Sequence, residues 1–134
     1  MSNLIELQDQ QRKLKVKIRP DLTADEATSM QLECIAFASE LTWPIYQARL
    51  SEARKGATAR HEYTKAFQLS NGGSDRKKDA DAKANEEVRL AETVAYQAEC
   101  ERKLLEDMKQ DFRELHHSLK AMLKDKTAER LWGA

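Results

Sequence analysis

The sequence predicts an all-α protein, and three features of its composition support that prediction. Gly and Pro together contribute six of the 134 residues, and aromatic residues make up 6% of the chain, which is too little for a β-sandwich or barrel. Ala, Leu, Glu, Lys and Arg, which are strong helix formers, are abundant. Because only 40% of the residues are hydrophobic, each helix is expected to bury one narrow stripe, often against another copy of the chain.

The expected architecture is a single helical domain over residues 1–134. It consists of a long, coiled-coil-like helical hairpin, an N-terminal helix and one short N-terminal strand. Several copies of the chain are expected to assemble into an oligomer.

Residues 1–22 are predicted to form an N-terminal arm that contains the strand. Within 11–19, Leu14, Val16 and Ile18 alternate with Lys and Arg residues, and this period of two is typical of a β-strand. A lone strand is unstable, so this one would pair with the same strand of another copy or lie across the helices. A frayed basic arm is the alternative interpretation.

Residues 23–70 are predicted to form two helices that meet near residue 44. Thr23 is an N-cap residue with Glu26 at the capping-box position three residues later, and apolar residues then recur at helical spacing to about residue 41. Pro44 either kinks a continuous helix or lies in the first turn of a second one, which is predicted over 45–69. The expected packing stripe of that second helix is Tyr46, Leu50, Ala53, Ala57, Arg60 or His61, Thr64 and Phe67.

Residues 71–84 are predicted to be a hairpin turn, and 85–127 one long helix. Gly72 and Gly73 suit the end of the preceding helix, and Ser74 can cap the next segment. The long helix has an apolar stripe with one three–three step, formed by Val88, Ala91, Ala95, Ala98, Arg102, Leu105, Met108, Phe112, Leu115, Leu119 and Met122. The surface expected to form the oligomer consists of Leu14, Val16, Ile18, Leu105, Met108, Phe112, Leu115, Leu119 and Met122.

The net charge of zero conceals an uneven distribution along the chain. Residues 49–78 include eight basic and three acidic residues, whereas 79–114 include six basic and eleven acidic ones. One interpretation is that the basic segment binds the phosphates of a nucleic acid, with aromatic residues stacking on single-stranded bases. Its candidate residues are Arg49, Arg54, Lys55, Arg60, Tyr63, Lys65, Arg76, Lys77 and Lys78. The alternative is that the basic helix pairs with the acidic one inside the hairpin.

The sequence contains no pattern typical of an enzyme, a metal site or a cofactor site. His61-Glu62 is followed by Lys65 where a zinc-protease helix has its second histidine. His116 and His117 are adjacent and point about 100° apart on a helix, which does not suit a shared metal ion. We therefore expect no catalytic residue, no metal and no cofactor.

The ends and the cysteines of the sequence predict a cytoplasmic protein. The chain has no apolar run near the ~18 residues that a membrane span needs, and its N-terminus lacks the basic and apolar regions of a signal peptide. We expect no membrane contact and a cytoplasmic location, which is the host cytoplasm if a phage encodes the chain. Cys34 and Cys100 are expected to be reduced thiols, with a disulfide between them as the alternative.

Several features occur in an order that resembles a known family. Val16-Lys17-Ile18 precedes a capped helix, and a basic helix containing Thr58-Ala59-Arg60-His61-Glu62-Tyr63 precedes a Gly-rich turn and a long charged helix. This order resembles the UvsY recombination mediators of phages over most of the chain. In that family, Lys-Ala-Arg followed by a hydrophobic residue, an acid and Tyr contributes to single-stranded DNA binding.

The resemblance assigns the roles in that element to Arg60, Glu62 and Tyr63. Thr58 stands where the family has lysine, so Arg54, Lys55 or Lys65 would have to supply that charge. The resemblance further implies a ring-shaped homo-oligomer that binds single-stranded DNA, helps displace a single-strand-binding protein and loads a RecA-type recombinase without hydrolysing nucleotide.

The alternative function belongs to a different class. The chain would be a non-enzymatic helical interaction or scaffold protein, such as a phage adaptor or inhibitor, that docks a partner protein. Leu131-Trp132 near the C-terminus would then be a candidate docking element. The alternative is that this terminal Trp covers its own neighbour.

Overall fold

The all-α prediction is confirmed by the structure, a computed structural model that describes residues 2–19 and 21–132. The helices in chain order are α1 (Ser2–Lys17), α2 (Ala24–Glu40), α3 (Thr42–Leu69), α4 (Asp75–Ala84) and α5 (Glu86–Trp132). The sequence predicts one domain, whereas the internal contacts of the chain define two compact units. Unit 1 consists of the described residues of 1–42 and 105–134, and unit 2 of 43–104.

The predicted strand at 11–19 is wrong, because residues 11–17 belong to α1. Leu7, Gln11 and Leu14 are buried, and their spacing of four and three residues is the helical period. The alternation of apolar and basic residues after Leu14 covers too short a segment to outweigh this pattern, and Val16 is 75% exposed. Because α1 packs through its buried residues, the frayed-arm alternative is wrong as well.

Unit 1 packs α1, α2 and the C-terminal half of α5 around large apolar side chains. Thr23 caps α2 as expected: its hydroxyl oxygen accepts a hydrogen bond from the backbone N–H of Glu26 at 3.1 Å. The rings of Phe37 and Phe112 stack with centroids 5.2 Å apart. The buried apolar residues of this unit are Leu7, Leu14, Leu22, Ala27, Met30, Cys34, Leu41, Leu105, Met108, Phe112 and Leu119.

Unit 2 is an antiparallel hairpin of α3 and the N-terminal half of α5, joined through α4. Its buried apolar residues are Ile45, Ala59, Ala82, Val88 and Ala98. Small side chains dominate this set, so the helices can approach closely while burying little apolar surface.

The segment 71–84 contains a helix that the sequence-based prediction missed. Ser74 ends the turn and caps α4, since its Oγ accepts from the N–H of Lys77 at 3.3 Å. Asn85 is extended and separates α4 from α5, and its Oδ1 accepts from the N–H of Val88 at 3.2 Å. Two capping residues eleven positions apart thus define a helix in place of part of the turn.

The other helix boundaries lie close to the predicted ones. Pro44 lies in the first turn of α3, which begins at Thr42, and Leu41 ends α2; the kinked-helix alternative is therefore wrong. The α5 helix reaches Trp132, five residues beyond the predicted end. The side chains of Leu131 and Trp132 lie outside the described residues.

The predicted stripe of α5 is confirmed, whereas that of α3 is wrong. All eleven residues of the α5 stripe are buried or half-buried. On α3, Tyr46 is 55% exposed and Leu50, Ala53 and Ala57 are also exposed, while Ile45 and Ala59 face the interior instead. Both faces of α3 carry residues at helical spacing, so the pattern alone does not identify the buried face.

Candidate nucleic-acid interface

The nine candidate DNA-binding residues all lie in unit 2, but they do not form one stripe. Arg54 and Lys65 are eleven residues apart, which is close to three full turns of a helix, so both lie on the same exposed face of α3. That face is turned away from the buried Ala59. This pair is therefore the outward-facing part of the predicted site.

Arg49 and Arg60 lie on a flank of α3, beside a groove between α3 and α5. Glu92 and Glu99 of α5 line the same groove. The positive charge of this flank therefore lies next to negative charge from the partner helix. A polyanion approaching here would meet both signs.

Lys55 lies on the opposite flank of α3. It lines a second groove, together with Glu62 of its own helix and Glu87, Leu90 and Val94 of α5. Lys55 is exposed, but it too has acidic neighbours.

For six of the eight candidate cations, the described residues provide no ion pair. In the part of the chain that the structure describes, no carboxylate oxygen lies within 4.0 Å of Arg54, Lys55, Arg60, Lys65, Arg76 or Lys77. An ion pair does join α3 to α5, between Glu52 and Arg102. In that pair the acid belongs to the basic helix and the base to the acidic helix, the reverse of what internal pairing of the basic segment requires.

Tyr63 is held by a polar contact instead of being free to stack on a base. Its hydroxyl donates a hydrogen bond to Oδ1 of Asp79 on α4, and its ring packs at a tilt on Phe67, with centroids 6.2 Å apart. The hydrogen bond to the Asp79 carboxylate, followed by burial, raises the pKa of Tyr63. The same bond, together with Lys83, lowers the pKa of Asp79.

The remaining candidates lie on α4. Arg76 and Lys77 are exposed, whereas Lys78 is half-buried with its Nζ 5.9 Å from the centre of the Phe67 ring. The contacts of Tyr63 and Lys78 pack α4 against α3. Exposed positive charge is thus present on α4 as well as on the outward face of α3.

The residues predicted to form the oligomer are largely used inside unit 1. Leu14, Leu105, Met108, Phe112 and Leu119 are buried in its core. Ile18, Leu115 and Met122 are half-buried, and Val16 is exposed. Of the nine residues, these last four therefore keep surface that a second copy could contact.

An exposed aromatic pair is a feature that the sequence-based prediction missed. Trp43 and Tyr46 lie three residues apart at the start of α3, both exposed, with ring centroids 5.4 Å apart. The only signal in the sequence is the helical spacing of two aromatic residues beside Pro44, and the same spacing suggests burial equally well.

Three further properties concern metal ions, membranes and thiols. Among the side chains that the structure describes, those of residues 5–19 and 21–127, no group of three or more His, Cys, Asp or Glu is placed to hold a metal ion. None of the helices described combines the length and apolarity needed to cross a bilayer. Both cysteines are free, Cys34 buried and Cys100 exposed.

Comparison of the chain with protein-family models, curated proteins and solved structures finds no match.

Proposed function

We propose that this chain is a non-enzymatic, oligomeric single-stranded DNA-binding protein that acts as a recombination mediator. The observation that supports the proposal is the set of six exposed cations of unit 2 without a carboxylate within ion-pair distance among the described residues. A strand would lie along Arg54 and Lys65 of α3 and continue to Arg76 and Lys77 of α4. Contacts of this kind release counterions from phosphates and give affinity that does not depend on base sequence.

Assembly of several copies is part of the proposal. One unit 2 offers few phosphate contacts, and the neutral chain as a whole has no net attraction for a polyanion. Repeating the same cations in a homo-oligomer, for example a ring, raises the effective concentration of each further contact. A strand held in this way would be presented to a RecA-type recombinase while a single-strand-binding protein is displaced.

The central experiment compares charge removal on the outward face of α3 with equal removal elsewhere. Arg54→Gln/Lys65→Gln should weaken binding to a fluorescent oligo-dT, measured by anisotropy over a salt series. Because a single-stranded ligand gives a salt slope of about 0.7 per contact, the slope should become shallower by about 1.4. Lys120→Gln/Lys124→Gln on α5 removes the same charge from exposed positions and should leave binding unchanged.

Two results would overturn the proposal. One is the absence of oligo-dT binding by the unaltered protein at low salt, and the other is equal weakening by both double variants. Light scattering with and without the oligonucleotide tests the assembly separately, since a monomer under both conditions excludes the oligomeric mechanism.

A second candidate function is docking of a partner protein, and the exposed Trp43–Tyr46 pair favours it. Trp and Tyr dominate the binding energy of many protein interfaces, and an exposed aromatic cluster with Leu50 nearby suits such a contact. Two results together would favour this function over DNA binding. The protein would not bind oligo-dT, and it would retrieve one partner protein from lysate that the Trp43→Ala/Tyr46→Ala variant does not retrieve.

A further inference from the structure

Unit 1 contains a cavity that shares no residue with the DNA interface proposed for unit 2. It has a volume of about 250 Å³ and lies between the C-terminal part of α2 and the α5 segment from 109 to 116. Its apolar wall includes Cys34, Ile35, Ala38 and Phe112. Its polar wall consists of Ser39, Thr42, Lys109, Arg113 and His116.

The three basic residues converge because of their spacing on α5. Positions 109, 113 and 116 are separated by four and three residues, so their side chains share one face of the helix. Ser39 and Thr42 contribute hydroxyls from the facing segment of unit 1. Five groups that can donate hydrogen bonds therefore line one small cavity.

The two cations of the cavity form no ion pair with a described carboxylate. None of the nine residues that line the cavity is acidic, and neither Lys109 nor Arg113 has a carboxylate within 4.0 Å among the residues described. The Nζ of Lys109 instead donates to the hydroxyl oxygen of Thr42 at 3.1 Å. The nearby Asp111 is paired with Lys15 at 3.9 Å.

His116 supplies a second observation. Its Nδ1 is shielded from solvent and has no hydrogen-bond partner among the groups described. Shielded polar atoms of this kind are uncommon in folded proteins. A shielded polar atom of one lining residue is thus left without a described partner, on the helix face that also carries Lys109 and Arg113.

We propose that this cavity binds a phosphate group. Arg113 can hold two phosphate oxygens with its planar guanidinium, and Lys109 adds a point charge. The hydroxyls of Ser39 and Thr42 can satisfy the remaining oxygens. Two N–H groups of Arg113, the ammonium of Lys109 and the two hydroxyls offer five donated hydrogen bonds, more than the about four lone-pair sites of a carboxylate, so a phosphate fits better than an acidic side chain.

The size of the cavity restricts the ligand. A volume of about 250 Å³ lies below the ~300–1,000 Å³ typical of drug-sized ligands. It has room for a phosphate and part of the group esterified to it, with the ester carbon chain or ring against Ile35 and Ala38. The phosphate belongs either to a small monoester or to the backbone of a nucleic acid.

The experiment uses NMR titration of the full-length protein with inorganic phosphate, thymidine 5′-monophosphate and, as the uncharged control, thymidine. The two phosphates should shift the Arg113 side-chain signal and the backbone signals of Ser39 and Thr42, whereas thymidine should not. Lys109→Gln/Arg113→Gln should raise the Kd for the monophosphate by at least ~10-fold. Arg113→Lys keeps the charge and should restore part of the affinity, and Lys120→Gln should have no effect.

A competition with oligo-dT identifies the source of the phosphate. If the ligand is a nucleic-acid backbone, oligo-dT displaces the monophosphate, and Lys109→Gln/Arg113→Gln weakens oligo-dT binding. If the ligand is a small monoester, that variant binds oligo-dT as the unaltered protein does. Either result supports the phosphate site.

Two outcomes overturn the inference: no shift at these residues with millimolar phosphate, or equal Kd values for the unaltered protein and a double variant with an unaltered circular dichroism spectrum. Because the site uses no cation of unit 2, its failure would leave the DNA-binding proposal intact. Failure of the DNA-binding proposal would likewise leave the phosphate site standing.

Discussion

Unit 1 and unit 2 are both built from amphipathic helices, but different interactions hold them together. In unit 1, Leu14, Leu41, Phe112 and Leu119 are almost completely buried. In unit 2, three of the five buried apolar residues are alanines, which bury far less surface than leucine or phenylalanine. Polar contacts supplement this small core: Glu52 with Arg102, Tyr63 with Asp79, and Ser70 with Asp81.

This difference explains how one chain can be well packed and still expose a charged surface. Large apolar side chains supply the burial in unit 1. In unit 2, close approach of small side chains leaves the long basic side chains of α3 and α4 at the surface. The contrast between the two units can be tested through their thiols, their cores and their polar contacts.

The largest difference is expected between the alkylation rates of the two cysteines, because Cys34 lies in unit 1 and Cys100 in unit 2. Burial, with a smaller contribution from Glu33, raises the pKa of Cys34 to about 11, and the thiolate is the reactive form. At pH 8, ~0.1% of Cys34 would be ionised. The exposed Cys100 should therefore react with iodoacetamide at least ~100-fold faster, as measured by intact mass over time.

The pH dependence of labelling provides the check. Raising the pH toward 11 increases the thiolate fraction of Cys34, so the difference between the two rates should shrink. Similar rates at pH 8 would mean that the core of unit 1 opens readily. If neither thiol reacts until a reductant is added, the two cysteines form a disulfide instead.

Truncation of Phe112 should produce the largest change in stability. Phe112→Ala removes a fully buried ring that stacks on Phe37, and large-to-small changes of this kind lower the free energy of unfolding by ~3–5 kcal/mol. Leu90→Ala in unit 2 is the control, because Leu90 is 66% exposed. This substitution should change the free energy of unfolding by less than ~0.5 kcal/mol. Urea denaturation followed by circular dichroism measures both. A comparable loss for Leu90→Ala would show that its side chain is covered in solution.

The sequence predicts the helices better than it predicts which faces they bury. The buried stripe of α5 is identifiable because Leu105, Phe112 and Leu119 are large and apolar and lie on one face of the helix. That face is therefore the one expected to be buried. The buried face of α3 is not identifiable, because Ala59 inside and Ala57 outside look alike. In α1, a few alternating residues obscure a helical pattern that begins at Leu7.

The candidate site, too, can be predicted from the sequence only in part. The distribution of charged residues along the chain identifies the positive charge of 49–78, but it does not show that Arg54 faces outward while Arg60 lies beside acidic residues. The hydrogen bond from Tyr63 to Asp79 joins residues sixteen positions apart and depends on α4, which was not predicted. The cavity of unit 1 brings α2 to the segment of α5 near Arg113, a long-range contact without a local signal.

The ion pair between Glu52 and Arg102 should contribute a smaller but measurable coupling. The two side chains are 29% and 21% exposed, so solvent screens their attraction in part. A double-mutant cycle with Glu52→Gln and Arg102→Gln should give a coupling of about 1 kcal/mol. The more exposed Glu99–Lys103 pair on α5 is the matched control and should couple less. A coupling near zero for the first pair would show that this ion pair does not help to hold α3 against α5.

The weakest change is expected for Tyr63→Phe, and it depends on pH. The hydrogen bond from Tyr63, with Lys83, keeps the pKa of Asp79 below its usual value. A carboxyl whose pKa is lowered by folding stabilises the protein above its unfolded pKa, near ~3.9, and this contribution is lost as the pH falls through the folded pKa. Without the hydroxyl, the pKa of Asp79 rises toward its usual value. The stability deficit of the variant should therefore be present at pH 7 and shrink at pH 3.

Urea denaturation at the two pH values measures this change, with Tyr46→Phe as the control because no described group accepts a hydrogen bond from Tyr46. A stability deficit of equal size at both pH values would show that the hydrogen bond from Tyr63 does not lower the pKa of Asp79.

The same variant also tests whether Tyr63 takes part in DNA binding directly. If Tyr63 only holds α4 against α3, Tyr63→Phe should loosen the packing of α4, which carries Arg76 and Lys77. The affinity for oligo-dT should then fall slightly. If its ring stacks on bases, Tyr63→Phe should bind normally and Tyr63→Ala should not, since phenylalanine keeps the aromatic face that stacking requires.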